Sequence, residues 1–178
     1  MNIYGGYMGN KQEIIEQSFY LEVKQILDMA REKVYRTANF AMVEAYWNIG
    51  KLIVEKQGGT EKAEYGAKLI KNLSVQMVKD FGKGFNVTNL KNMRQFYLTF
   101  PNGSALRSEL SWTHYRLLMR VDNKDARQFY LEESIKSNWS TRQLERQITT
   151  FFYERLLSSK NKSDVSNEIF SLEKPKVP

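Results

Sequence analysis

The chain has no cysteine, one histidine and three prolines. Without cysteine it forms no disulfide and offers no thiolate to a metal, which fits a reducing compartment. A single histidine falls short of the three or so protein ligands that a zinc site takes, so neither a metal nor a cofactor is expected. No apolar run approaches the ~18 residues of a membrane-spanning helix, and the first ten residues lack the basic and then apolar order of a secretory signal. The prolines stand at 101, 175 and 178, which leaves long segments free to be helical. These absences point to a soluble, cytoplasmic, mostly α protein with no membrane partner.

What is present is a globular composition, 42% hydrophobic and 26% charged over 178 residues, with a formal net charge of +7. The charge is localised. Between Tyr65 and Ser108, Lys68, Lys71, Lys79, Lys83, Lys91, Arg94 and Arg107 face one acid, Asp80, so this quarter of the chain carries +6 of the +7. Such a concentration suits a nucleic-acid backbone as counterpart. A solvated basic surface is the plainer alternative.

Apolar residues recur at helical spacing from about Lys11 to Lys56: Ile15, Phe19, Val23, Ile26, Ala30, Val34, then Ala41, Val43, Trp47, Ile49 and Ile53. One long helix or two, with a kink near Thr37-Ala38-Asn39, accounts for them, and Gly58-Gly59 supplies the stop. A second helix from about Glu61 to Phe81 sets Tyr65, Ile70, Leu73, Met77 and Phe81 along one side and ends at Gly82. Three later helices share one kind of start, a small polar cap between two apolar residues that fix the entry of the chain. These triplets are Phe85, Asn86 and Leu90; Leu110, Ser111 and Tyr115; and Trp139, Ser140 and Leu144, with Gln143 completing a capping box on Ser140. A further helix is predicted from about Asn123 to Lys136, capped by Asp122. Past Leu157 the polar run Ser158 to Asp164 reads as a linker, followed by residues too poor in apolar side chains to fold alone.

Helix, glycine-broken turn (Phe81-Gly82-Lys83-Gly84-Phe85) and helix is the layout of a helix-turn-helix DNA-binding unit. On the second of these helices, Val87 to Phe100, the stripe Leu90, Met93, Tyr97 and Phe100 is expected to be buried. The opposite face collects Thr88, Lys91, Asn92, Gln95 and Thr99, with Arg94 at its flank and no acid among them. Asn and Gln pair with adenine edges, Lys and Arg reach guanine or phosphate, and Thr meets phosphate or a thymine methyl. The candidate DNA-binding residues are therefore Lys83, Thr88, Lys91, Asn92, Arg94 and Gln95.

Other features have structural explanations. His114 stands at the third position of its helix, where capping or packing accounts for it. The pairs Tyr46-Trp47, Phe96-Tyr97, Phe129-Tyr130 and Phe151-Phe152 lie within helical patterns and read as core. Arg142 and Arg146, with Glu145 and Glu154 nearby, read as an ion-paired solvated face. The chain contains no glycine-rich phosphate loop, nucleophile elbow or strand-borne carboxylate pair, so no catalytic residue is assigned and no hydrolytic activity is expected of this chain alone.

Glu44-Ala45-Tyr46-Trp47-Asn48-Ile49-Gly50, Tyr65-Gly66, Phe81-Gly82-Lys83-Gly84-Phe85, Asn89-Leu90-Lys91-Asn92-Met93-Arg94-Gln95-Phe96-Tyr97, Leu110-Ser111-Trp112-Thr113-His114-Tyr115 and Trp139-Ser140-Thr141-Arg142-Gln143-Leu144 occur in this order. Together they resemble the N-terminal domain of the YhcG family of bacterial nucleases, from about Ile26 to Arg155. The resemblance implies a helix-turn-helix domain that binds DNA, followed in full-length relatives by a PD-(D/E)XK nuclease domain. The sequence stops at the linker, so this chain is expected to lack that nuclease domain and to be either a fragment of a longer nuclease or a stand-alone relative.

The expectation is thus an all-α, multi-helix domain with a long N-terminal helix and a helix-turn-helix-like unit at about 61–100. A flexible N-terminus (1–10), a helical domain (11–157) and a polar tail (158–178) make up the chain. The expected partners are double-stranded DNA, the C-terminal nuclease domain of full-length relatives, and a second copy in a homodimer. RNA shares the phosphate chemistry and is not separated from DNA by sequence. The competing function is a protein-interaction or dimerisation module built on the first helix. An apolar stripe left exposed there would favour it, as an acid-free basic face around Lys91 would favour DNA.

Overall fold

The structure, a computed structural model, describes residues 5–58 and 63–159, with side chains described from residue 16 and, in the second stretch, from residue 66. Residues 1–4 of the expected flexible N-terminus, Gly59, the side chain of Tyr65 and the tail from residue 160 lie outside the described residues. Among the described residues there are seven α-helices and no strand: α1 (Gly5–Lys56), α2 (Ala63–Phe81), α3 (Val87–Thr99), α4 (Trp112–Leu118), α5 (Lys124–Lys136), α6 (Thr141–Thr149) and α7 (Phe152–Ser158). The all-α expectation holds. So does the long first helix, which is a single element without interruption near Thr37-Ala38-Asn39.

Two compact units divide the chain, residues 1–38 and 39–178. In the first, every described side chain from Glu16 to Ala38 is exposed, Phe19, Ile26 and Val34 among them.

The second unit holds the core, in two clusters. The larger gathers Val43 of α1, Phe96 of α3, Leu106 and Leu110 of the loop, Tyr115 and Leu118 of α4, Tyr130 of α5, Leu144 of α6 and Phe152 of α7. The smaller joins Ile53, Ile70, Leu90 and Met93. Trp112 packs against both, its ring 5.0 Å from Tyr46 and 5.4 Å from Phe96.

All three stapled starts carry the cap. Asn86 accepts from the Asn89 N–H at 3.0 Å, and Ser111 and Ser140 both form capping boxes, with His114 and Gln143. The predicted cap of α5 is displaced by one residue: Asn123, not Asp122, accepts from the N–H groups of Asp125 and Ala126 at 2.8 and 3.1 Å. The pattern beginning at Ser140 splits in two at Phe151, whose left-handed φ of 52° separates α6 from α7. Of the aromatic pairs, Phe96, Tyr130 and Phe152 are buried, their neighbours Tyr97 and Phe129 and both residues of Tyr46-Trp47 are half-buried, and Phe151 is exposed, against expectation.

His114 is buried and structural. Its Nε2 donates to the Trp139 carbonyl at 3.0 Å, which leaves Nδ1 to accept from the Ser111 N–H at 3.2 Å. Burial holds its pKa below the usual value of 6.5, partly offset by the Trp139 bond. Arg142 and Arg146 form no ion pair among the described residues, so the paired face expected there is absent.

Candidate nucleic-acid interface

The turn between α2 and α3 is built from the backbone outwards. Gly82 adopts φ 88°, a conformation that costs an L side chain strain, and its N–H closes α2 on the Val78 carbonyl at 3.0 Å. Lys83-Gly84-Phe85 then forms one 3-10 turn, with the Phe85 N–H returning to the Gly82 carbonyl at 3.2 Å. Three side chains hold this turn. Ser74 Oγ donates to the Phe85 carbonyl at 3.2 Å, Asn86 Nδ2 to the Lys83 carbonyl at 3.2 Å, and Asn89 Nδ2 to the Gly84 carbonyl at 2.9 Å. The Phe81 ring, last of the residues that helical spacing sets along one side of α2, is exposed and meets Phe85 edge-on at 5.8 Å. The connection is short and fixed at both ends, with the Lys83 side chain outside it.

α3 buries Leu90, Met93 and Phe96, while Tyr97 and Phe100 are half-buried. The buried arc therefore sits further round the helix than the stripe read from the sequence, because α3 lies between the two clusters: Leu90 and Met93 enter the smaller and Phe96 the larger. The Trp47 indole N–H, bonded to the Phe100 carbonyl at 2.7 Å, ties the end of α3 to α1.

Four of the six candidates, Lys83, Thr88, Lys91 and Gln95, are exposed, and Asn92 is half-buried. Thr88, Lys91 and Gln95 share the solvent side of α3, where Gln95 Nε2 donates to Thr99 Oγ1 at 3.2 Å. Arg94 is half-buried and differs in kind. Its Nε donates to Gln57 Oε1 at 2.6 Å, and Gln57 Nε2 donates in turn to the Gly66 carbonyl at 3.2 Å. One amide thus joins α3, the start of α2 and the residue that follows α1. Periodicity does not single out Gln57: it lies just past its helix, and its role depends on contacts 9 and 37 residues away.

Electrostatically the region between Tyr65 and Ser108 is strongly positive, with the exposed Asp80 the one acid among seven cations. Lys68, Lys71, Lys79, Lys83, Lys91 and Arg107 are exposed, and none of the three ion pairs found among the described residues involves a cation of α2, the turn or α3. The first turn of α3 carries no acid, so nothing there cancels the positive end of the helix dipole. Such a surface can hold phosphate oxygens and offer amide side chains to base edges. Among the described residues no group of three or more histidines or carboxylates is placed to hold a metal ion.

A helical module with a short, hydrogen-bonded basic turn between two of its helices is the class these features define. Residues 22–155 match the family model described as the DUF1016 N-terminal domain, and the chain belongs to that family. It is 38% identical over 180 residues to an Escherichia coli K12 protein named "Putative nuclease YhcG", in an alignment covering 83% of this chain and 48% of that protein. The chain spans about half the length of that curated relative. The resemblance read from the ordered motifs is confirmed. No solved structure gives a significant match.

Proposed function

We propose that this chain is a duplex-DNA-binding module that targets or regulates a nuclease domain, and that it has no hydrolytic activity by itself. The observation that carries the reading is the set of cations around the α2–α3 turn, none of them in an ion pair among the described residues and opposed between Tyr65 and Ser108 by Asp80 alone. In this reading α2, the turn and α3 act as a helix-turn-helix unit. Lys83, Lys91 and the outer nitrogens of Arg94 grip phosphate, Thr88 meets the backbone at the start of α3, and Asn92 and Gln95 approach base edges. The relative's name supports a nucleic-acid target for the family; a cytoplasmic location is part of the proposal.

The test is a salt-dependent titration of the chain against duplex DNA, single-stranded DNA and RNA. Tightest binding to duplex DNA, with log K falling linearly in log salt, supports the reading. Preference for RNA or the single strand overturns the choice of partner, and no binding to any of the three overturns the function.

A second reading, a protein-interaction module, is favoured by one specific observation, the exposed apolar residues of α1 between Phe19 and Tyr35. The two readings use separate surfaces.

A further inference from the structure

Phe19, Val23, Ile26, Ala30, Val34 and Thr37 are spaced by four, three, four, four and three residues. Steps of this kind follow an 11-residue repeat, whose 3.67 residues per turn keep a seam nearly straight along a helix. At 100° per residue the six side chains fall within a stripe of about 80°. All six are exposed, Ile26 and Val34 by 66% and 69%, with Tyr20 and Leu27 widening the stripe on one side. An apolar seam some 30 Å long is left uncovered.

The charges along the same segment say what covers it. From Glu16 to Asp28 there are three acids (Glu16, Glu22, Asp28) and one base (Lys24); from Arg31 to Arg36 there are three bases (Arg31, Lys33, Arg36) and one acid (Glu32). The segment is neutral as a whole but carries −2 at one end and +2 at the other. Glu32 and Arg36 pair with each other at 2.7 Å on the face away from the seam. Glu22 and Lys33 flank the seam on its same side, and among the described residues neither is in an ion pair.

We infer that residues 16–38 form an antiparallel helix pair with a second copy of this chain. Running the copies in opposite directions about a point between Ile26 and Leu27 sets Phe19 against the partner's Val34 and Val23 against the partner's Ala30, large against small. Because a two-fold axis perpendicular to the pair keeps each flank on its own side, Glu22 meets the partner's Lys33 and Lys33 meets the partner's Glu22. On the other flank Tyr20 comes opposite the partner's Arg31, an aromatic–cation contact. A parallel pair would instead set like-charged ends together and Lys33 against the partner's Arg31, so charge selects the antiparallel arrangement.

The experiment is sedimentation equilibrium of the chain without nucleic acid, with Glu22→Lys, Lys33→Glu and the combined exchange; circular dichroism confirms that each variant stays helical. The expected result is a dimer weakened about tenfold by either single reversal, each of which spoils two symmetric contacts, and restored to within about threefold by the exchange. Ile26→Asp, which places a charge in the seam, abolishes the dimer. A chain that stays monomeric to about 100 μM, above the micromolar Kd typical of modest interfaces, overturns the inference and leaves the seam to another partner. Tighter association of Lys33→Glu, or no recovery in the exchange, overturns the antiparallel arrangement. The result is independent of DNA binding, which is read on a different surface.

Discussion

Gly50 of α1 lies directly against the Met93 carbonyl of α3: a Cβ placed on Gly50 would fall 2.0 Å from that oxygen and 3.2 Å from Tyr97 Cβ. The obstacle is helix backbone, which has no rotamer to give. This close approach lets α1 press against α3 and seats Ile53 beside Leu90 and Met93 in the smaller cluster.

Gly50→Ala is therefore expected to destabilise the chain by about 2 to 3 kcal/mol, because overpacking outweighs the gain of about 1 kcal/mol in helix propensity. Gly84→Ala, whose Cβ meets nothing within 4 Å, serves as the control and is expected to stay within about 0.5 kcal/mol of the parent. Urea denaturation of both variants checks the pair. Equal stabilities would mean that α1 and α3 do not meet in this way.

His114 predicts a pH dependence. Its folded pKa lies below the unfolded value of 6.5 because burial disfavours the imidazolium. The unfolded state therefore binds more protons just below pH 6.5, and the stability contribution, complete above that pH, is lost as the pH falls towards the folded pKa. His114→Gln keeps a capping-box side chain, as Gln143 does on Ser140, but does not titrate. Denaturation at pH 7.5 and 5.5 is expected to show a larger loss in the parent than in His114→Gln. An equal loss in both would contradict the assignment.

Asn86 caps α3 and also holds the Lys83 carbonyl. Asn86→Ala is expected to cost about 1 kcal/mol, within the range for such caps, while Asn86→Asp keeps the cap acceptor. On the DNA-binding reading, Asn86→Asp also weakens DNA binding at low salt, since it adds a negative charge beside Lys83. A variant as stable as the parent that binds duplex DNA as tightly would argue against phosphate at this turn.

The parts of the fold that sequence can show are those set by local chemistry. The caps at Asn86, Ser111 and Ser140 are legible because cap, flanking apolar pair and helix lie within a few residues of one another. The cap of α5 is not, because Asp122 and Asn123 are adjacent and chemically equivalent as acceptors, and only the chain path chooses between them. The burial of Phe96 depends on α3 entering two clusters at once, which a single stripe on a helical wheel does not anticipate. The left-handed Phe151 follows no local rule, and packing of the neighbouring Phe152 offsets its strain. The solvent side of α3 is legible from its lack of acids. The hold of Gln57 on Arg94 is not, since it joins residues far apart in the chain.

That hold decides which variant tests DNA binding most cleanly. Replacing Arg94 would also remove the bond to Gln57, whereas Lys83 and Lys91 are exposed, unpaired and free of structural duty among the described residues. The decisive measurement is the affinity of Lys83→Ala/Lys91→Ala for duplex DNA as a function of salt, beside the parent. Weaker binding to every sequence is expected, with a salt slope reduced by about one unit for each phosphate that is no longer held and stability unchanged. Unchanged affinity and slope in a folded double variant would contradict the claim that this turn and helix are the DNA-binding surface.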